Sequence, residues 1–397
     1  MKRVLVLAPS SYPTYGAEAI VNIKLLKALV DSDKFEIDLV SKRVNWKHYP
    51  EEEYDIKFSS VNIIDIDLKV TPTLIWEHIH SFFKFGITFK AVHWAIKALP
   101  IVEDLVKRNK YDYVLTKDSP SFVLGEYLKR KYGIKWVATW NDPFPPVKYP
   151  FPYGKGGNFN GNIFDRMCVN TMRKADIHIF PSARLRDYMV KYLNIGLETT
   201  KVIPHIILKT DVENKIQNDK LRILHSGTLQ SPRDPKTFLL ALSKFKKNFP
   251  LSNIEVSVMG LIEDDAKQLI KELGLSDIVK LIPPVKYSES LKRLSLYHVA
   301  LIIEADCDEG IFLPTKVTDF MQYKKYIFSI SPREGVLNDM YRNKDIHYFA
   351  DVKDVQSIYD ALNEIYNDFI SNRFNDVPKS DFPSFTESTI VNEYYNL

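Results

Sequence analysis

Short apolar runs alternate with stretches of helical period along most of this chain. In the first half the runs are 4–8, 37–41, 61–66, 113–116, 136–139, 177–180 and 202–203. Each is short and rich in β-branched or aromatic residues, the signature of a strand. Residues 17–30, 90–109, 121–132, 164–174 and 183–192 lie between them, carry apolar side chains three and four apart, and predict helices. The pattern restarts in the second half. Strands are expected at 221–225, 254–259, 279–282, 299–303, 326–329 and 347–349, with helices at 235–249, 264–273, 289–296 and 355–369. Residues 210–220, TDVENKIQNDK, are polar and aperiodic and read as a linker. A short amphipathic helix is expected at 387–395. Strand–helix alternation of this kind builds βαβ units and parallel sheets. The expected fold is α/β, two tandem Rossmann-like, doubly wound domains facing a cleft, the first over 1–209 and the second over 221–383.

Composition narrows the function classes. A net charge of +4 on 397 residues, with no long basic tract, gives no reason to expect nucleic acid. The two cysteines, Cys168 and Cys307, are far apart, which argues against a disulfide scaffold and for a reducing compartment. The opening MKRVLVLAPSS has an apolar run too short for a signal peptide and reads as a first strand. No stretch approaches a membrane-spanning length without charges. A cytoplasmic protein is the expectation.

Open α/β sheets bind ligands at the carboxyl ends of their strands, and tandem domains of this kind bind them between the domains. Four loops at such positions carry chemistry. The first, after residue 8, ends in Gly16 at a helix entry, where the backbone can approach a ligand closely; an ordinary βα loop has the same look. The second, Thr139-Trp140-Asn141-Asp142, offers two polar side chains and an aromatic one, stiffened by the prolines that follow; an Asx turn is the plainer alternative. The third, His225-Ser226-Gly227-Thr228-Leu229, leads to Arg233 just before a helix expected at Pro235. Arginine can grip a diphosphate with paired hydrogen bonds, although an exposed ion pair with Asp234 fits the same spacing. The fourth runs from Glu304 through Asp306, Asp308 and Glu309 to Pro314-Thr315-Lys316. Here a lysine meets a helix entry, with Asp319 one turn deeper, suited to a ribose diol. A solvated acidic loop would read similarly.

Together these loops resemble the GT-B glycosyltransferases, specifically the retaining family 4 group, over nearly the whole chain. The resemblance rests on Tyr15-Gly16-Ala17, on Gly227-Thr228-Leu229 with Arg233, on the acid-rich loop, and on Pro314-Thr315-Lys316-Val317-Thr318-Asp319-Phe320. Val202-Ile203-Pro204-His205 matches the element that closes the first domain in that family. It implies transfer of a sugar from a UDP- or GDP-sugar to a glycan or lipid-linked acceptor, with retention and without a metal or other cofactor. Arg233 and Lys316 would hold the diphosphate with Gly16, Gly227, Thr228, Leu229 and Thr315 around the donor. Asp319 would take the ribose, Glu309 the donor sugar, and Trp140, Asn141 and Asp142 the acceptor side. A last helix over 384–397 would cross back onto the first domain.

The chain departs from the family pattern at several points. Asp319 replaces a glutamate, Lys324-Lys325-Tyr326 replaces Gly-Lys-Pro, Thr228 stands where arginine is common, and the first loop has one glycine rather than two. A degenerate, non-catalytic nucleotide-sugar-binding homologue and a nucleotide-sugar 2-epimerase are the alternatives. Asp306-Cys307-Asp308 also matches a metal-binding D-x-D, but Asp31-Ser32-Asp33 and Asp65-Ile66-Asp67 match it equally. Residues 73–99 are aromatic and basic, with Glu77 the one acid. They suit either a peripheral membrane contact or a helix pair facing the core.

Overall fold

The computed structural model describes residues 1–14, 16–44, 54–66, 73–117, 119–209, 214–250, 253–342, 345–376 and 382–397. Tyr15, Asp67 and residues 210–213 of the expected linker lie outside the described residues. The chain divides into two compact units, Met1–Leu208 with Pro383–Leu397, and Lys209–Phe382.

The first unit runs β1 (Lys2–Leu7), α1 (Gly16–Asp31), β2 (Phe35–Val44), β3 (Ser60–Ile66), α2 (Thr73–Phe85), α3 (Val92–Arg108), β4 (Tyr113–Lys117), α4 (Phe122–Tyr132), β5 (Trp136–Thr139), α5 (Ile163–Met172), β6 (Ile177–Phe180), α6 (Ala183–Leu193) and β7 (Thr200–Val202). The second runs β8 (Leu221–Ser226), α7 (Lys236–Asn248), β9 (Ile254–Met259), α8 (Asp264–Glu272), β10 (Val279–Ile282), α9 (Tyr287–Leu294), β11 (Val299–Ile303), α10 (Val317–Gln322), β12 (Tyr326–Ser331), α11 (Val336–Tyr341), β13 (His347–Asp351) and α12 (Val355–Ile370). The last helix, α13 (Glu387–Tyr395), belongs to the first unit.

Among the described residues each unit has one all-parallel sheet, in the orders β3-β2-β1-β4-β5-β6-β7 and β10-β9-β8-β11-β12-β13. Both are doubly wound. The strand order reverses between β1 and β4 in one sheet and between β8 and β11 in the other. Loops leaving these strands at their carboxyl ends are where such sheets take ligands. Central strands are buried on both faces, which is why they read as unbroken apolar runs; all five residues of β11 and all six of β9 are buried.

Helix α13 is fixed to the first unit by Ile390, Val391 and Tyr394, which join Val4, Leu26, Ile37 and Tyr113 in one core. Burying each such side chain contributes about 1.5–3 kcal/mol. Polar contacts set its register: the Tyr113 hydroxyl donates to the Tyr394 carbonyl (3.1 Å) and Lys34 Nζ to Asn392 Oδ1 (2.7 Å).

Two sequence expectations change. The 90–109 helix starts later, at Val92, and the segment before it forms a separate helix, α2. Residues 214–220 are not a free linker. Lys215 N–H donates to Ser295 O (3.1 Å), Asn214 Nδ2 to Tyr323 O (3.2 Å), and Asn218 Oδ1 meets His298 Nε2 at 3.0 Å, all within the second unit. Polar composition cannot distinguish a linker from a surface strap held by hydrogen bonds. Helix α10, entered just after Lys316, has six residues. Among the described residues no helix is long and apolar enough to cross a membrane.

Candidate functional site

The loops on either side of the second unit's reversal point, β8–α7 and β11–α10, form its most distinctive site. Backbone contacts fix the first: Gly227 N–H donates to Met259 O and Leu229 N–H to Leu261 O, both 2.8 Å. Gly227 and Gly260 have φ of 127° and 141°, a region that side chains rarely tolerate. A Cβ on Gly260 would collide with the Gly227 carbonyl, and one on Gly227 would lie 3.0 Å from Lys316 Nζ. Bare backbone at Gly227 therefore lets the Lys316 ammonium lie directly against the loop. Two residues far apart in sequence are brought together as expected.

Arg233 is exposed at the end of the same loop, its N–H donating to Gln230 O (2.9 Å). Its charge acts on both Lys316 and Glu304. Burial and then the Arg233 charge push the Lys316 ammonium down to about 7, with Glu304 opposing them. Burial pushes the Glu304 carboxyl up to about 7 against the pull of Arg233 and Lys316. Glu304 Oε2 is buried with no hydrogen-bond partner among the described residues, and a Cβ on Gly310 would sit 3.3 Å from it.

His225, fully buried beneath this loop, has Nδ1 3.1 Å from the Leu301 carbonyl. A carbonyl only accepts, so Nδ1 carries the proton and Nε2 is an acceptor, also buried without a partner. Burial and then the Lys316 charge hold this imidazole well below its ordinary value, and therefore neutral. A buried polar atom left unpaired costs about 1–3 kcal/mol, so two in one cationic site favour a ligand that brings hydroxyl or N–H groups. Neither His225 nor Glu304 was singled out for a role from sequence. The usable signal was that each is a polar residue at the end of an otherwise apolar buried strand.

The remaining expected donor residues divide. Leu229 is buried and anchors the loop to the core, so its side chain does not face a ligand, while Thr228 is exposed. Asp319 Oδ1 accepts the Tyr287 hydroxyl at 2.5 Å, a partner contributed by α9. The Thr315 carbonyl accepts the Thr318 hydroxyl (3.2 Å). Glu309 is exposed, and its carbonyl lies 3.3 Å from Cys307 Sγ. Asp306, first acid of the D-x-D, is paired with Lys353 at 3.0 Å. Asp234 takes the Lys236 N–H (2.8 Å), and Pro235 stands just outside α7 rather than at its first position. Among the described residues no three His, Cys, Asp or Glu side chains group as a metal site requires.

In the first unit, Gly16 opens α1 with φ 78°, and nothing lies where a Cβ would be, so the requirement there is conformational. Two residues on, in the first turn of α1, Glu18 accepts the Asn141 amide and so ties the loop after β5 to the entry of α1. Asp142 is exposed and hydrogen-bonded to Tyr149; burial first, then the Asp142 charge, push that phenol up. Gly16, Asn141 and Asp142 are thus brought together, with Glu18 and Tyr149 as unforeseen members. Trp140 does not join them. It is buried against Phe122 and His178, and its Nε1 donates to His178 Nδ1 (3.1 Å). A ring used in this way cannot serve as a sugar platform. Trp140 lies one residue past β5, and a single sequence does not reveal which way the first loop residue points.

Residues 16–207 match the family model described as Glycosyltransferase Family 4. No curated protein sequence matches the chain. Solved structures match over its full length. Sucrose-phosphate synthase from Thermosynechococcus elongatus is similar with TM-score 0.66 and 13% identity, over 100% of this chain and 98% of that one. HepE from Anabaena, solved with UDP and glucose, is similar with TM-score 0.60 and 12% identity, over 100% and 95%. The UDP-GlcNAc 2-epimerase from Methanocaldococcus jannaschii is similar with TM-score 0.55 and 11% identity, over 100% and 99%. At such identities the likeness is one of fold.

Proposed function

We infer, for a chain with the GT-B fold whose first unit matches glycosyltransferase family 4, that it transfers a sugar from a nucleotide-diphosphate donor, UDP- or GDP-linked, to a glycan or lipid-linked acceptor. The observation that carries this reading is the meeting of Lys316, Arg233, Gly227 and two unpartnered buried acceptors at one reversal point. A lysine against a glycine backbone with an arginine charge acting on the same site suits a diphosphate, and the acceptors suit hydroxyl groups beside it.

In this reading the bond from sugar C1 to the diphosphate oxygen breaks. Lys316 and Arg233 stabilise the charge that develops on the leaving diphosphate, a type of term worth about 3–4 kcal/mol per donor group. The acceptor hydroxyl attacks with retention, and its proton passes to the departing phosphate oxygen. Asp319, oriented by Tyr287, takes the ribose diol, and Glu309 the donor sugar. Asn141 and Asp142 belong to the acceptor side. The two cations do the work a divalent metal does elsewhere, and a lipid-linked acceptor brings the first unit to the cytoplasmic face of a membrane.

Thermal shift with UDP, GDP and ADP, with and without EDTA, tests the donor site. One nucleotide should stabilise the protein independently of EDTA, and Arg233→Ala and Lys316→Ala should abolish the shift. No shift with any nucleotide at millimolar concentration would remove the reading. Turnover separates enzyme from degenerate homologue: Arg233→Ala in a transferase should lose a hundredfold or more. A 2-epimerase, the activity of one structural relative, would convert a UDP-sugar with no acceptor present.

A further inference from the structure

Helix α2 is inside out. Its inward face is mostly polar: Glu77 pairs with His93, His78 Nδ1 meets Thr88 Oγ1 at 2.6 Å, and Ser81, buried, donates to the Ile87 carbonyl at 2.6 Å, while Phe85 at the helix end packs edge-on against Tyr127. Its outward residues are apolar. Ile75, Trp76, Ile79, Phe82 and Phe83 are 66, 72, 42, 48 and 82% exposed. The spacing i, i+1, i+4, i+7, i+8 places all five on one stripe about a third of the helix circumference wide. A helix that spends its polar groups on its own protein and turns two phenylalanines and a tryptophan to water is built for a surface it has yet to meet.

The surrounding charge identifies that surface. Lys84 is exposed beside Phe83, and Arg130 reaches the same place, its Nη2 donating to the Lys84 carbonyl at 3.1 Å. His80, Lys90 and Lys97 are exposed nearby. Between residues 75 and 97 the one acid, Glu77, is turned inward and paired. Of the acids near Arg130, Glu126 is buried and held by Arg130 and Lys174. An aromatic and aliphatic stripe edged by cations and free of exposed acid complements an anionic lipid surface, with Trp76 and the phenylalanines at headgroup depth. A second copy of this face would bring like charges and no exposed acid to match them.

We propose that the outward face of α2 seats the protein on an anionic membrane, lying in the interface rather than spanning it. The inference stands on α2 alone, and its test is independent of the donor site. Full-length protein is floated with mixed phosphatidylcholine–phosphatidylglycerol vesicles and with phosphatidylcholine alone. Wild type should partition to the anionic vesicles, less so at high salt. The Trp76→Ser/Phe83→Ser double variant should partition roughly tenfold less, and Lys84→Glu should weaken binding to anionic vesicles only. Brominated lipid should quench wild-type tryptophan fluorescence more than that of Trp76→Phe, a readout that does not depend on the double variant being stable. Arg233→Ala should bind vesicles as wild type does, so that a failure of the donor reading leaves this result intact. Wild type remaining unbound, equal binding by the double variant, or a concentration-dependent dimer that the double variant abolishes in place of vesicle binding would overturn the proposal.

Discussion

The ligand-facing loops of the two units solve the same topological problem in opposite ways. In the first unit the polar residues satisfy one another: Asn141 donates to Glu18, Tyr149 bonds Asp142, and Trp140 bonds His178. In the second, the missing Cβ of Gly227 leaves room for Lys316, that of Gly260 leaves room for the Gly227 carbonyl, and two buried acceptors, on His225 and Glu304, are left unpaired. A self-satisfied loop is a rigid platform on which a substrate can be laid. A strained and unsatisfied one carries a free-energy cost that a ligand can relieve, and so binds with more discrimination. In the proposed reading, donor selectivity therefore belongs to the second unit.

The largest effect expected from this contrast is at the crowded end. Lys316→Ala should lower turnover by about 10²–10³-fold, since it removes a cation from the leaving diphosphate. Asn141→Ala, which breaks one part-buried hydrogen bond to Glu18, should cost far less. Comparable losses in the two variants would erase the distinction between the loops.

A pH profile sharpens the comparison with a smaller effect. Lys316 is held down to about 7 and is cationic below that value. Glu304 is raised to about 7 and is neutral below it. As pH rises through 7 the site loses a positive charge and gains a negative one, and both changes disfavour a diphosphate. Nucleotide-diphosphate affinity, measured by calorimetry, should fall by roughly tenfold or more between pH 6 and 8. Glu304→Gln should flatten the fall. An affinity that rises with pH would mean the two groups do not face the ligand.

Much of the fold was legible because central parallel strands are apolar on both faces; 136–139, 177–180, 254–259, 279–282 and 299–303 have the predicted bounds. The meeting of Gly227 with Lys316 was legible because both sit at strand ends that a doubly wound sheet gathers. What escaped depends on direction rather than position. Trp140 and Asn141 are neighbours in one loop, yet one turns into the core and the other to α1. Glu304 was read as the first acid of a loop that could face either a ligand or solvent, without any sign that the end of β11 buries it. Helix α2 shows the same limit: residues 73–99 read equally as a membrane-contacting surface or a core-facing helix pair, and the sequence did not decide which way the apolar stripe points.

Trp140 offers a direct check on that lesson. Trp140→Phe removes the Nε1 bond to His178 while keeping a ring against Phe122. Stability should drop by about 1–2 kcal/mol, read from denaturant midpoints, because a hydrogen bond and some buried area are lost. Acceptor KM should stay within about twofold, as expected of a residue that positions nothing on the ligand side. A large rise in KM with unchanged stability would return Trp140 to the acceptor face.

The smallest expected effect concerns the departure at Lys324-Lys325-Tyr326. Lys324 adopts φ 49°, the left-handed conformation that glycine takes most easily, so the backbone demand persists although the glycine does not. Lys325 is buried, with Nζ donating to Asn214 Oδ1 and Tyr297 O, each at 2.8 Å, so it ties the strap at 214–220 to the sheet. The departure is therefore accommodated structurally, at a local cost to the helix end and not to the donor loops. Lys324→Gly should relieve that conformation and stabilise the protein by about 0.5 kcal/mol, the gain being trimmed by the greater freedom of glycine in the unfolded chain. Nucleotide affinity should not move. If affinity shifted with stability, strain at the end of α10 would be part of the binding site, and the crowding at Gly227 and Lys316 would extend through the whole helix.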